Sequence, residues 1–325
     1  MWGRRRARTC AACLVVVGVA AATSGEGAQA RAATMTAVPN RCPGQVLTCA
    51  QLVELGLTYP YRREPGSYLF VGGRAVPYVA LTSDLLGNSL VSAHGQTMTA
   101  AALLQALRVA PPAGPLTPVL AYGANANVDA LRRKYLSPGA RFTAVVPVIK
   151  GRLPDYDVTW TPQLVSNGAM PATLTPSPGT EVSAWTTWLG IDELRRMNAT
   201  EGVGTLYSAG RLRGAALRAP GPSVGDPLVY VDCRGPLRVR GRTLAIAAVP
   251  AAHRRFAGVS SAEALRRVEP ALGWRGTAAA LIRDNVRHPA RRRARDRALA
   301  ALATSVSNPH YRPSIPCRTG RHRPA

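Results

Sequence analysis

Between Pro118 and Val249 the chain passes through seven short apolar runs, each closed by turn residues, and this alternation constrains the fold more than any other feature. The runs are VLAY, RFTAVVPVI, YDVTWT, ATLT, VSAWTTWL, LVYVDC and LRVRGRTLAIAAV. Segments of this length bounded by Gly, Pro, Asn and Asp read as strands. Upstream, YLFVGGRAVPYVAL sets Gly72-Gly73 between two apolar runs as a hairpin turn. TMTAAALLQALRV follows as a helix with Leu103, Leu104 and Leu107 on its apolar side. The Pro-rich APPAGPLTP at 110–118 cannot continue that helix and reads as a linker. From His253 the pattern turns helical, in SAEALRRVEPALGW, GTAAALIRDNV and RHPARRRARDRALAALA. The last stretch, NPHYRPSIPCRTGRHRPA, reads as an irregular tail. The fold class expected is α+β.

The N-terminus bears on compartment. MWGRRRART is a basic leader, CAACLVVVGVAAATSG a short apolar core, and AQA at 28–30 offers small residues where a signal peptidase cleaves. The apolar run is short of the ~20 residues a membrane span needs. A cleaved signal over residues 1–30 is expected, and with it a secreted or cell-wall-associated protein; a retained N-terminal anchor is the alternative. Four cysteines remain beyond residue 30: Cys42, Cys49, Cys233 and Cys317. In an exported chain they suggest two disulfides with three possible pairings. The local loop CPGQVLTC makes Cys42–Cys49 the first choice, leaving Cys233–Cys317 to tie down the C-terminus. The five histidines are scattered and no CxxC occurs beyond residue 30, so no metal site is expected.

The stretch PVLAYGANANVDALRRKY (118–135) carries the functional signal. An apolar run ends at Tyr122, the small residues Gly123, Ala124 and Asn125 follow, and Asn127 is placed to cap a helix bearing Val128, Leu131 and Tyr135 on one face. Amides of such a loop, next to a helix N-terminus, can hold a carboxylate or an oxyanion. A plain structural turn would use the same residues.

The order of segments distinguishes the two. AYGAN is followed by NGAMPATLTPSPGTEV, a strand, and DELRRMNATEG. This resembles the gamma-glutamylcyclotransferase family, in which a strand ends in a YGSN loop, a G-x-ATxxxSPG hairpin follows, and a helix runs into LxxLDxxEG. The matching residues are Tyr122, Gly123, Ala124, Asn125, Ser177-Pro178-Gly179 and Glu201-Gly202, within about residues 116–210. Ala124 stands where the family has serine, Asn198 replaces an aspartate, Met197 a leucine, and Ala184 a frequent glycine. The resemblance implies a small curved mixed sheet or barrel flanked by helices over residues 116–250. A disulfide-bearing extension (31–115) and an Arg-rich helical part with tail (251–325) would adjoin it.

It also implies a reaction. The free α-amine of a γ-glutamyl group attacks its own γ-carbonyl, giving 5-oxoproline and a released amine or amino acid. Holding the attack geometry is a proximity effect. One carboxylate, Glu201 by resemblance, serves first as base and then as acid. The loop at Tyr122–Asn125 grips the glutamyl head group, and Tyr207 lies near a pocket tyrosine of the family. No cofactor or metal is called for, and the partner is a small γ-glutamyl molecule. Without the resemblance, Glu201 reads as a solvated residue ending an amphipathic helix, with Leu194 and Met197 buried, Arg195 and Arg196 wet, and Gly202 as its stop. A binding or wall-associated protein without chemistry is the alternative function.

The formal net charge is +24, and all but two of the 41 basic residues are arginine, the exceptions being Lys134 and Lys150. Arginine with abundant Ala, Gly and Pro is the bias of a GC-rich genome. The block at 287–297 is dense enough to attract an anionic wall polymer or an acidic membrane surface. It lacks the interleaved aromatics that would favour nucleic acid.

Overall fold

A computed structural model of the chain describes residues 47–136, 144–214 and 217–318, all within one compact unit of residues 40–325. The expected signal segment (1–30) and Cys42 lie outside the described residues. The described part opens with α1 (Cys49–Thr58), where Thr48 and Gln51 form a reciprocal capping box. The hairpin β1 (Tyr68–Val71) and β2 (Arg74–Ala80) turns through Gly72 and Gly73, both at positive φ as a two-residue turn demands. Then come β3 (Leu90–Ala93), β4 (Gln96–Thr99) and α2 (Ala100–Leu107), with Leu103 and Leu104 buried but Leu107 exposed.

The central region holds β5 (Thr117–Ala121), a short 3-10 turn (Ala124–Ala126), α3 (Val128–Tyr135), β6 (Val145–Trp160), β7 (Ala172–Leu189) and α4 (Ile191–Glu201). After β8 (Tyr207–Leu212) and β9 (Leu228–Asp232) lie the short strands β10 (Arg238–Val239), β11 (Arg242–Ile246), β12 (Ala251–Ala252) and β13 (Ala257–Val259). The described part closes with α5 (Ser261–Leu272), α6 (Ala278–Arg287), α7 (Pro289–Leu299) and β14 (Tyr311–Ile315).

Neighbouring strands run β14-β8-β9-β5-β7-β6-β1-β2-β3-β4, with β11 joining β6 and β12 joining β7. The β5–β9 and β11–β13 pairs are parallel, the other strand pairs antiparallel. The fold is therefore α+β, with a large open mixed sheet and seven α-helices among the described residues. No pairing among them closes the sheet into the barrel offered as one form of the expectation.

Side chains of β5 alternate between two cores, as period 2 requires. Leu120 joins the core built with α1, α5 and α6, while Val119 and Ala121 join the core of α3 and α4. A third, smaller core holds Leu69, Val71 and Val91 under α2. Residues 145–149 of β6 are buried without alternation, because both faces of the sheet are covered there.

Three sequence expectations need correction. VVPVI (145–149) and YDVTW (156–160) belong to one strand, β6, and ATLT and VSAWTTWL to one strand, β7. Ser177-Pro178-Gly179 is not a hairpin turn; the register passes from Tyr156↔Pro176 to Pro154↔Glu181, so the segment bulges opposite Asp155. The Gly179 amide donates to Asp155 Oδ1 at 2.8 Å, and Gly179 sits at φ 82° where a side chain would be strained. The tail is not irregular, since β14 pairs with β8 and Cys317 bonds Cys233 across 84 residues. Its prolines hid the strand, yet an edge strand tolerates Pro313, and Gly210 opposite it leaves the room. A Cβ at Gly210 would come within 2.2 Å of the Arg312 carbonyl oxygen. Cys49 is also disulfide-bonded; its expected partner Cys42 lies outside the described residues.

Candidate functional site

β5 ends at Ala121, and beyond its C-terminal end opens a cavity of about 630 Å3. Every residue singled out for substrate or catalysis lines it: Tyr122, Gly123, Ala124, Asn125, Glu201 and Tyr207. The local folding follows from the sequence. Asn127 Oδ1 accepts from the Ala130 amide at 2.8 Å and starts α3, whose buried face is Ala130, Leu131 and Tyr135. At the other end, Gly202 adopts φ 62° and stops α4, leaving Glu201 as its last residue. Of the stripe read into α4, Met197 is fully buried and Leu194 partly so. Arg196 is not simply wet: its Nε donates to the Lys134 carbonyl at 2.8 Å and ties α4 to the end of α3.

Glu201 faces the loop. Asn125 Nδ2 donates to Glu201 Oε1 at 3.3 Å. The same oxygen is ion-paired with Lys134 Nζ, which also donates to Thr200 Oγ1 at 2.8 Å. The Lys134 and Glu201 side chains are only 14% and 16% exposed, so the pair is screened from bulk solvent. Lys134 had no place in the sequence reading of the site. Two signals pointed to it: it is one of two lysines in an arginine-dominated chain, and it lies one helical turn beyond Ala130, another lining residue.

The wall is aromatic. Tyr122 Oη donates to the Tyr230 carbonyl and Tyr207 Oη to the Ala172 carbonyl at 2.9 Å, so both phenols are committed to backbone. Burial pushes the hydroxyls of Tyr59, Tyr122 and Tyr207 up, with neighbouring phenols adding to it, and all three are neutral near pH 7. Asn198, the departure from the family's aspartate, accepts from Tyr230 Oη at 2.6 Å.

The segment before residue 114, which the sequence left without a role, supplies Tyr59 and Tyr61 to the wall. A side chain at 123 would meet Tyr59 Oη at 2.8 Å, so Gly123 is what lets the loop lie against that ring. Arg63 donates to the Tyr122 carbonyl at 3.3 Å and stacks on Trp185 with 4.6 Å to the ring centre. Asn167 Nδ2 donates to Tyr61 Oη at 3.2 Å, and the Arg133 guanidinium lies over the same ring at 5.4 Å. Arg292, from the Arg-rich block, reaches the rim with its Nη1 on the Ser166 carbonyl at 2.8 Å. Charged residues of the lining are thus three cations, Arg133, Lys134 and Arg292, against one carboxylate, Glu201.

Behind the cavity floor, Asp232 pairs with Tyr207 across the β8–β9 ladder. Burial pushes its carboxyl up to about 7, against the Arg234 amide and guanidinium and Gln163. Among the described residues no group of three or more His, Cys, Asp or Glu is placed to hold a metal ion. No described helix is long and apolar enough to cross a membrane.

No family model matches the sequence, and no curated protein matches it either. Among solved structures the chain is similar to one titled gamma-glutamyl cyclotransferase, at 18% identity and a TM-score of 0.29. The likeness covers 36% of this chain and 66% of that one, just under two thirds of its length. A likeness at that level carries no argument about fold or activity.

Proposed function

We propose that this protein is an exported cyclotransferase that releases 5-oxoproline from a γ-glutamyl peptide or amine, with Glu201 as general base and then general acid. One observation carries the reading: a single cavity brings Glu201 to the Tyr122–Asn125 loop, with Asn125 Nδ2 at 3.3 Å from the carboxylate. The Cys233–Cys317 disulfide supports an oxidising compartment.

In the proposed reaction two protons leave the substrate α-nitrogen and two arrive on the departing nitrogen, so no water is consumed. Glu201 accepts a proton from the α-ammonium, freeing the lone pair to attack the γ-carbon. It then delivers that proton to the leaving nitrogen as the γ C–N bond breaks, and the second proton passes from the ring nitrogen to the released amine through the same carboxylate. The Gly123–Asn125 loop holds the glutamyl head group so that attack is intramolecular and pre-aligned. Lys134 occupies Glu201 in the free protein, and an incoming α-ammonium takes its place on the carboxylate while Lys134 turns to the substrate α-carboxylate.

A zwitterionic glutamyl head group engages Glu201 and Lys134 and leaves Arg292 at the cavity rim for the leaving group. An acidic leaving group matches that cation, so γ-glutamyl-glutamate is expected to react with higher kcat/KM than γ-glutamyl-alanine. The oxidised protein is incubated with both dipeptides and with γ-glutamyl amines, and 5-oxoproline is measured. Glu201→Gln is expected to lower the rate about 10²–10⁴-fold. Product from wild type and variant alike would remove Glu201 from the mechanism. The second reading, a binding protein without chemistry, is favoured by the Lys134 pairing and by Ala124; calorimetric binding of the dipeptides with no product from either protein would establish it.

A further inference from the structure

Two adjoining concavities, of about 510 and 590 Å3, lie outside the Glu201 cavity. The first is lined by Arg240, Arg242, Arg266 and Arg267, the second by Arg238, Arg242 and Arg255. Arg242 borders both, but only the first is a groove between the β10–β11 hairpin and α5; Val239 pairs with Arg242 and Arg238 with Thr243, so the second opens on the other face of the hairpin. Among the described residues, no aspartate or glutamate lines either concavity.

The charges are largely uncommitted. Arg267 pairs with Glu263 at 2.5 Å, Arg238 donates to its own hairpin at the Gly241 carbonyl, and Arg255 reaches the Pro178 carbonyl at 3.4 Å. Arg240, Arg242 and Arg266 are exposed and have no side-chain partner among the described residues. The scaffold beneath them is stiff. The hairpin turns through two residues, Arg240 at φ 49° and Gly241 at φ 77°, a tight turn that fixes both flanks. Arginine is a poor choice for a positive φ, where asparagine or glycine is easier, so the turn holds a cation at some conformational cost. α5 is anchored by its Ser260 cap, which accepts from the Glu263 amide.

We propose that this groove binds a linear, flexible polyanion whose phosphates recur along the chain, as in a polyphosphate or polyphosphodiester. Four like charges around this groove, Arg240, Arg242, Arg266 and Arg267, repel one another unless an anion carrying several charges lies between them. A single small anion would leave most of them unmatched. A flat acidic membrane would not enter the concave surface. No aromatic among the described residues lines it, so there is no ladder of rings on which bases could stack.

The test uses the full oxidised chain and fluorescently labelled short-chain inorganic polyphosphate, read by anisotropy across a salt series. The variant R240A/R242A/R266A is expected to bind about tenfold more weakly or worse, with the slope of log K against log salt reduced by about two. R287A/R293A/R297A, which removes exposed arginines around α7, is expected to stay within about twofold of wild type. R242K is expected to retain binding and R242E to lose it, which separates charge from folding. Equal loss in the two triple variants, or none in the first, would overturn the groove. Displacement of polyphosphate by phosphatidylglycerol vesicles or by duplex DNA, at lower charge concentration than polyphosphate itself needs, would overturn the assignment of the ligand.

Discussion

The arginines of α7 and those of the hairpin groove are alike in sequence and opposite in use. Arg291 and Arg295 both pair with Asp284, at 3.1 and 2.6 Å, and Arg295 also donates to Asn285 and stacks on Trp274 at 4.9 Å. Arg292 is turned to the rim of the Glu201 cavity. From the same helix, Asp296 receives Arg234 through both oxygens, at 3.0 and 2.6 Å, and accepts from the Leu164 amide at 2.8 Å. Much of α7's charge therefore fastens the helix to the body. The groove has only the partly exposed Glu263, on Arg267. Charge density in a sequence thus says little about charge available to a partner; what counts is whether carboxylates and carbonyls are folded against it.

That contrast can be broken experimentally, most sharply at Asp296. Asp296→Ala leaves Arg234 three-quarters buried without its carboxylate and is expected to cost about 3 kcal/mol. Urea unfolding measures it, and a loss below about 0.5 kcal/mol would mean that α7 is not held by its charges. A smaller effect is expected at Asp284. Burial pulls its carboxyl upward, but Arg295 and Arg291 outweigh that and hold it below the usual carboxylate value. The stability it contributes is therefore present above about pH 4 and is lost as pH falls through the folded value. Wild type and Asp284→Asn should differ most near neutrality and converge in acid; a gap that stays constant through the acid limb would contradict the pairing. The smallest effect belongs to the groove. Glu263→Ala breaks only an exposed pair and should change stability by less than about 0.5 kcal/mol, and Arg242→Ala should leave the unfolding midpoint where it was.

Legibility followed locality. The Gly72-Gly73 hairpin, the Asn127 cap, the Gly202 stop and the helical run after residue 260 depend on neighbours within a turn or two, and the sequence carries each of them. The candidate site was legible in its own segments too, from Tyr122–Asn125 to Glu201. What escaped was supplied from a distance. Tyr59 and Tyr61 come from a segment with no motif, Lys134 is read as site only once α3 faces α4, and Arg292 looked like one more member of a surface block. The SPG bulge and the edge strand β14 were misread because their signals, Gly and Pro, mean a turn by default and a bulge or a sheet edge only when a partner strand is present.

By itself the sequence determined several of the hairpins and helices, their caps and stops, the arginine-rich balance and the loop before α3, because these rest on backbone preferences and spacing along one segment. Only the tertiary structure decided which tyrosines wall the cavity, that Lys134 sits on Glu201, and which arginines are left unpaired. Each of those facts concerns two groups far apart in the chain, whose burial and pairing exist only once the sheet has brought them together.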